Sequence, residues 1–141
     1  MICIFLEKKI ALMQSKAVLE AGHDREICGL ILDNGYFLDF VLLRNRDKNI
    51  GKFSFYAREV KKIKQASKLL DIKIIGTFHS HPWSSADPSK SDIKNALEDS
   101  LLMIFSVPDK TAKLWYIKDN EATLVSYSKI NSRKNKGWYR D

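Results

Sequence analysis

The segment GTFHSHPWSSADPSKSD, residues 76–92, constrains the fold more than any other part of the chain. An apolar, β-branched run leads into its two histidines and predicts a buried strand that ends there. Alternate residues of a strand share a face, so His79 and His81 are expected to point the same way. Two prolines then interrupt regular structure, and Ser89 has the position of a helix N-cap with Asp92 at N3. A strand end and a helix start are therefore expected to converge.

The side chains of this segment are typical of a catalytic metal site. Two imidazoles and a carboxylate are the ligands of a zinc ion that keeps its fourth position open for water. In the alternative interpretation, Ser89 and Asp92 form only a capping box. That alternative does not explain why two of the three histidines in the chain stand two residues apart. We predict one zinc ion per chain, bound by His79, His81 and Asp92.

The spacing H-x-H-x7-S-x2-D, formed by His79, His81, Ser89 and Asp92, resembles that of the JAMM (MPN-plus) metalloproteases. The upstream segment Glu26–Leu30, with the sequence EICGL, is similar to the E-x-C-G-L segment of the same family. No long insertion interrupts the chain, which resembles the small prokaryotic members.

This resemblance implies a fold, an activity and a partner. The fold would be a curved, mixed sheet between helical layers, similar to cytidine deaminases. The activity would be that of a zinc-dependent isopeptidase or peptidase that cleaves after the C-terminal Gly-Gly of a ubiquitin-like protein. Such enzymes either release conjugates or process C-termini, for example of a sulfur carrier or a bacterial ubiquitin-like modifier. By resemblance, Glu26 would be the general base and Ser89 would donate a hydrogen bond to the oxyanion. Without the motif, Glu26 has the features of an ordinary surface glutamate.

Hydrophobic periodicity and turn signals predict an α/β fold in which strands and helices are mixed. A first strand is expected at the start of the chain, and Asn34-Gly35 predicts a hairpin turn. Helices are predicted at Glu7–Ala21, Ala57–Leu70 and Ser89–Leu97, and further strands at Ile27–Leu32, Tyr36–Leu43, Phe53–Phe55, Ile72–Phe78, Leu101–Val107, Ala112–Lys118 and Thr123–Tyr127.

Composition is that of one globular domain, with 45% apolar and 29% charged residues in 141. No apolar stretch is long enough to span a membrane, and the start of the chain lacks the features of a signal peptide. Cys3 and Cys28 are the only cysteines, and they are expected to be reduced core residues of a cytoplasmic protein.

The net charge of +7 is concentrated at the C-terminus. We divide the chain into a catalytic domain at residues 1–128 and a basic, flexible tail at residues 129–141. The tail contains five basic residues and one aspartate. An alternative function follows from this charge: a module that binds nucleic acid or a protein partner through the tail and the lysine-rich helix Ala57–Leu70. A solvated end without that role is the simpler interpretation of the tail, so nucleic acid is not the expected partner.

Overall fold

The computed structural model describes residues 2–47 and 53–131. Its elements in chain order are β1 (Ile4–Leu6), α1 (Glu7–Ala21), β2 (Cys28–Asp33), β3 (Leu38–Leu43), α2 (Ala57–Leu69), β4 (Lys73–His81), α3 (Lys90–Asn95), β5 (Ser100–Ser106), β6 (Thr111–Lys118), β7 (Glu121–Val125) and β8 (Ser128–Ile130).

The strands of the described residues form one eight-stranded sheet in the order β7-β6-β5-β4-β2-β3-β1-β8. β1 pairs in parallel with β3 and β8, and β4 pairs in parallel with β5. The remaining neighbours are antiparallel, which makes the sheet mixed, as predicted. β4 therefore lies in the interior of the sheet, with a paired neighbour on each side.

Helices cover the two faces of the sheet. Ile10, Met13 and Ala17 are the buried side of α1 and pack into the larger core cluster together with Phe78 of β4. Side chains alternate along a strand, so β5 contributes residues to the larger cluster and the residues between them to a second cluster on the other face. Ile93 of α3 packs against this second cluster. The expected layered α/β architecture is confirmed, and the protein's core lies mainly on the α1 side.

Two glycines allow the central strands to approach each other closely. A Cβ atom on Gly29 of β2 would lie 2.0 Å from the carbonyl oxygen of Val41 and 2.5 Å from the ring of Phe78. A Cβ atom on Gly76 of β4 would lie 2.1 Å from the carbonyl oxygen of Leu101. No side chain fits at either position without movement of the neighbouring backbone.

Three sequence predictions need correction. Phe53–Phe55 is not a strand, because Ser54 donates its N–H to the side chain of Asn45 at 3.2 Å and Phe53 stacks on His79. The helix predicted at Ser89–Leu97 covers only Lys90–Asn95, since Ala96 has extended backbone angles. β4 does not end at Phe78 but continues through both histidines.

The C-terminal end of the sheet was not predicted. Residues 128–130 form β8, so the sheet continues two residues into the segment assigned to the basic tail. The rest of that tail, from residue 132, lies outside the described residues. Among the described residues, no helix is long and apolar enough to cross a membrane.

Candidate metal centre

β4 places both candidate histidine ligands on one face of the sheet. His79 lies opposite Cys28 of β2 and Ile104 of β5, and His81 follows two residues later. Both histidines are buried. The side chains project from the face opposite α1, towards the loop and helix that follow β4.

The start of α3 supplies the carboxylate. Ser89 is the N-cap of α3: its hydroxyl accepts a hydrogen bond from the backbone N–H of Asp92 at 3.0 Å. In return, Oδ2 of Asp92 accepts one from the backbone N–H of Ser89 at 2.9 Å. This capping box was the alternative to a metal site, and the structure contains both arrangements. The cap fixes the carboxylate in an orientation that faces the two imidazoles.

The three ligand groups converge on one point. The Nε2 atoms of His79 and His81 are 3.2 Å apart. Oδ1 of Asp92 lies 3.2 Å from Nε2 of His79, and its Oδ2 lies 3.0 Å from Nε2 of His81. Ligand atoms about 2.0–2.1 Å from a tetrahedrally coordinated metal are roughly 3.3 Å from one another. The arrangement therefore fits a divalent metal ion, with these three side chains as its ligands.

Neighbouring groups fix the two rings. Nδ1 of His81 donates to the carbonyl oxygen of Ser85 at 2.6 Å, which leaves the lone pair of Nε2 free for a metal. His79 stacks on Phe53, with ring centroids 4.5 Å apart, and its buried Nδ1 has no hydrogen-bond partner among the described residues. Sequence reasoning missed Phe53, because nothing in the local pattern indicates a ring that folds back onto β4.

The electrostatics of the cluster favour an ionised Asp92 and a neutral His79. Burial by itself raises the pKa of Asp92, but hydrogen bonds with both histidines outweigh it and hold this pKa well below its usual range. Burial lowers the pKa of His79, and Asp92 offsets only part of that effect. Burial also opposes the charged form of His81, yet its bonds to Asp92 and Ser85 leave that pKa raised. Asp92 is therefore an anion, and His79 is neutral over the physiological range.

The backbone beyond β2 places Glu26 beside this cluster. Ser80 donates its N–H to the carbonyl oxygen of Ile27 at 3.1 Å, and its hydroxyl accepts from the N–H of Ile27 at 2.8 Å. The antiparallel register thus continues past the last ladder pair, and Glu26 comes opposite His81 on the same face. The side-chain amide of Asn45 binds the carbonyl oxygen of Glu26 at 3.1 Å.

The environment of Glu26 differs from that of a surface glutamate. The residue is only 5% exposed. Burial raises the pKa of Glu26 to about 7; nearby His81 opposes this rise, and the charges of Asp92 and Asp47 add to it. A carboxyl group with a pKa near neutrality can both accept and donate a proton at physiological pH.

Long-range contacts anchor the loop between the ligands, residues 82–88. Ser106 donates its hydroxyl to the carbonyl oxygen of Ser84 at 2.8 Å, and Nε1 of Trp115 donates to the carbonyl oxygen of Ala86 at 2.9 Å. These donors are on β5 and β6, and their role is invisible in the sequence because they are distant along the chain. The loop therefore holds the second histidine and the start of α3 at a fixed separation.

All five candidate site residues lie in this region. His79, His81 and Asp92 form the cluster, Glu26 is buried next to it, and Ser89 is exposed at its rim. The third histidine, His23, lies in an exposed turn.

The mixed sheet and the metal-type cluster at the end of β4 define an α/β protein of the JAB/MPN class. The family model for prokaryotic homologs of the JAB domain matches residues 11–118, and the chain belongs to this family.

Solved structures share the fold. A protein from Desulfitobacterium hafniense is similar over 93% of this chain and 94% of its own, with 24% identity and a TM-score of 0.77. A JAB1/MPN domain protein from Archaeoglobus fulgidus is 18% identical, with a TM-score of 0.60, over 93% of this chain and all of its own. A protein from Salinibacter ruber is 17% identical, with a TM-score of 0.62, over 92% of each chain. No curated protein matches the chain.

Proposed function

We propose that this protein is a zinc-dependent peptidase or isopeptidase that cleaves after the C-terminal Gly-Gly of a ubiquitin-like protein. The observation that carries the proposal is the convergence of His79, His81 and Asp92 beside the buried Glu26. Three ligand groups and a separate carboxyl group are the components of a hydrolytic metal site. The Gly-Gly substrate rests on the resemblance of the two sequence motifs to the JAMM proteases.

Zinc is the proposed metal because two neutral imidazoles and one carboxylate are among its usual catalytic ligand sets. A bound zinc ion would supply a Lewis acid that activates water and polarises the scissile carbonyl. His79, His81 and Asp92 would hold it and leave one position for substrate or water.

Glu26 and Ser89 have separate roles in the proposed reaction. Glu26 accepts a proton from the attacking water and delivers it to the leaving amine, which a pKa of about 7 allows in both directions. Ser89 is exposed, and its hydroxyl oxygen already accepts from Asp92, so its own hydrogen is free to bind the oxyanion.

The position of β4 limits how an extended tail can bind. β4 is paired on both sides, so a substrate strand cannot be added to it. The tail would instead lie across the carboxyl ends of β4 and β5, next to the loop of residues 82–88. Glycines at the cleavage site suit such a path, because they bring the backbone close to the metal without side chains in the way.

Cleavage of Gly-Gly fusions tests this function. The zinc-loaded protein is incubated with a panel of ubiquitin-like proteins, each carrying a C-terminal extension or a lysine-linked peptide after Gly-Gly. We expect Glu26→Gln to lower kcat about 10²–10⁴-fold with zinc content unchanged, since only proton transfer is lost. His81→Ala should lose both zinc and activity.

His23→Ala serves as the control, because this histidine is exposed and is not one of the residues of the cluster. It should retain zinc and full activity. Equal rates for the wild type and Glu26→Gln would contradict the role of Glu26. A zinc-loaded protein that cleaves no member of the panel would contradict the proposed substrate class.

One observation supports the alternative function, a module that binds nucleic acid or a protein partner, and the same experiment tests it. The basic side of α2 is exposed, through Arg58, Lys61, Lys62, Lys64 and Lys68. DNA binding that weakens steeply with salt, in a protein that cleaves no fusion, would favour this alternative.

We propose the cytoplasm as the compartment. Cys3 and Cys28 are both buried free thiols, as is usual for proteins kept in a reducing environment.

A further inference from the structure

The ring of Phe53 covers one of the metal ligands. It stacks on the imidazole of His79, with ring centroids 4.5 Å apart and ring planes inclined by 25°. His79 is only 1% exposed, although it lies near the carboxyl end of β4. Phe53 comes from the segment before α2 and belongs to neither of the two core clusters. This phenylalanine therefore packs on the metal centre and not in the core of the sheet.

The side chain of Asn45 fixes the backbone next to Phe53. Its oxygen accepts a hydrogen bond from the N–H of Ser54 at 3.2 Å, and its nitrogen donates to the carbonyl oxygen of Glu26 at 3.1 Å. The carbonyl oxygen of Ser54 in turn accepts from the backbone N–H of Arg46 at 2.9 Å. One side chain thus connects the segment that carries the ring with the segment that carries the candidate base.

The two histidine ligands are held in different ways. A histidine that binds a metal through Nε2 usually donates its Nδ1–H to an acceptor, which fixes the orientation of the ring. His81 follows this rule, because its Nδ1 donates to the carbonyl oxygen of Ser85 at 2.6 Å. The buried Nδ1 of His79 has no such partner within residues 2–47 and 53–131, and Phe53 covers a face of its ring instead. Coordination to a divalent ion withdraws electrons from an imidazole, and the negative face of an aromatic ring attracts such a group.

We propose that Phe53 is a positioning residue, whose ring holds the imidazole of His79 in the orientation that binds the metal. Asn45 is a second positioning residue, because it fixes the backbone beside Phe53 together with that of Glu26. The inference rests on the metal centre of the proposed function, but it does not depend on which substrate is cleaved. A change at Phe53 should therefore alter metal binding although no ligand atom is removed.

Zinc affinity, measured by competition with a chelator, tests the role of the ring. Phe53→Leu keeps an apolar side chain and removes the aromatic face, and we expect the Kd for zinc to rise about tenfold. Phe53→Tyr keeps the face and should retain the affinity of the wild type. Phe37→Leu is the matched control and should also retain it. Phe37 is half-buried like Phe53, but it lies in the hairpin between β2 and β3, at the end of β2 away from Cys28.

Cobalt separates the orientation of His79 from the stability of the fold. The visible absorption of Co²⁺ depends on the geometry of its ligands, so it reports on the bound site itself. At saturating Co²⁺, we expect Phe53→Leu to change the absorption bands, and Phe53→Tyr and Phe37→Leu to keep those of the wild type. A purely structural role of Phe53 would lower stability and leave the bands of the bound ion unchanged.

A double-mutant cycle tests the role of Asn45. Asn45→Ala removes the hydrogen bonds to Ser54 and Glu26 and should also weaken zinc binding. In the double variant with Phe53→Leu, the loss should be smaller than the product of the two single fold-changes, because both changes disturb the same contact with His79. Two fold-changes that simply multiply would overturn the role assigned to Asn45.

The possible outcomes separate this inference from the proposed function. Equal zinc affinity and equal Co²⁺ bands in the wild type and Phe53→Leu would overturn the positioning role and leave the protease intact. A similar loss of affinity in Phe37→Leu would overturn it too, since general destabilisation would then explain the effect. Weaker zinc binding and altered bands in Phe53→Leu alone, in a protein that cleaves no Gly-Gly fusion, would support the positioning role and contradict the proposed substrate class. A wild type that binds no zinc would contradict both.

Discussion

Glu26 is the site residue whose properties depend most on its surroundings. Its sequence neighbours, Asp24 and Arg25, are those of an ordinary surface turn. Continued pairing between Ile27 and Ser80 carries the residue into a buried position beside the metal ligands. Burial then raises the pKa of Glu26 to about 7. The catalytic capacity proposed for this carboxyl group thus results from backbone register.

The way in which the stability of the metal-free protein changes with pH should report the pKa of Glu26. Folded Glu26 holds a proton between pH 4.5 and about 7, where the unfolded chain has released it. The wild type therefore loses stability as the pH rises through this window, by at most about 3 kcal/mol. Glu26→Gln cannot titrate, so its stability relative to the wild type should increase from pH 5 to pH 8.

Urea denaturation in the presence of a chelator, at pH 5, 6, 7 and 8, measures the difference. Other titrating groups are common to both proteins and cancel. A difference that does not change with pH would mean that Glu26 titrates normally in the folded state.

α3 shows how a short element can have two roles. It has only six residues and none of them is buried, and a helix of this length is not stable alone. The capping box at Ser89 and Asp92 supports its first turn and orients the carboxylate towards the histidines. Sequence spacing was sufficient to predict this cap, because capping is a local interaction. The predicted length was wrong because the helix end depends on how the chain turns into β5.

Phe53 and β8 illustrate what local patterns leave out. Aromatic residues favour strands, so Phe53–Phe55 was predicted as one, but the ring packs on His79 of β4. β8 is a short strand that pairs with β1 at the other end of the chain. Both outcomes depend on contacts between residues far apart in sequence.

Gly29 should be the most sensitive position on β2. We expect Gly29→Ala to lower the free energy of unfolding by about 3 kcal/mol, because its Cβ would meet the backbone of β3 and the ring of Phe78. Gly22→Ala is the control: its Cβ would lie no closer than 3.3 Å to any neighbour, and its backbone φ is −63°. Urea denaturation of both variants measures the contrast, and similar losses would show that close packing at Gly29 is not the cause.

At the scale of the whole molecule, the metal centre connects distant parts of the chain. The ligands come from β4 and α3, Phe53 covers His79 just before α2, and Glu26 enters from the start of β2. An ion bound at this centre would hold these segments together in the folded state. The centre is therefore expected to contribute to stability as well as to the proposed catalysis.

Zinc should raise the melting temperature of the protein. At a free zinc concentration 100 times the Kd, binding to the folded state alone stabilises it by about 2.7 kcal/mol. Calorimetry with and without zinc measures the shift, which His81→Ala should abolish and His23→Ala should preserve. A wild type whose melting temperature is unchanged by zinc, and which contains none after purification, would contradict the metal centre.

Local sequence patterns were sufficient to predict the types of most elements, the α/β class and the candidate set of metal-ligand residues. These features depend on local periodicity, capping and short spacings, and segment 76–92 contains the whole ligand set. The burial of Glu26, the stacking of Phe53 on His79 and the pairing of β8 became visible only in the folded structure. These properties arise from strand register and from contacts between segments that are far apart in the chain, and no local pattern encodes them.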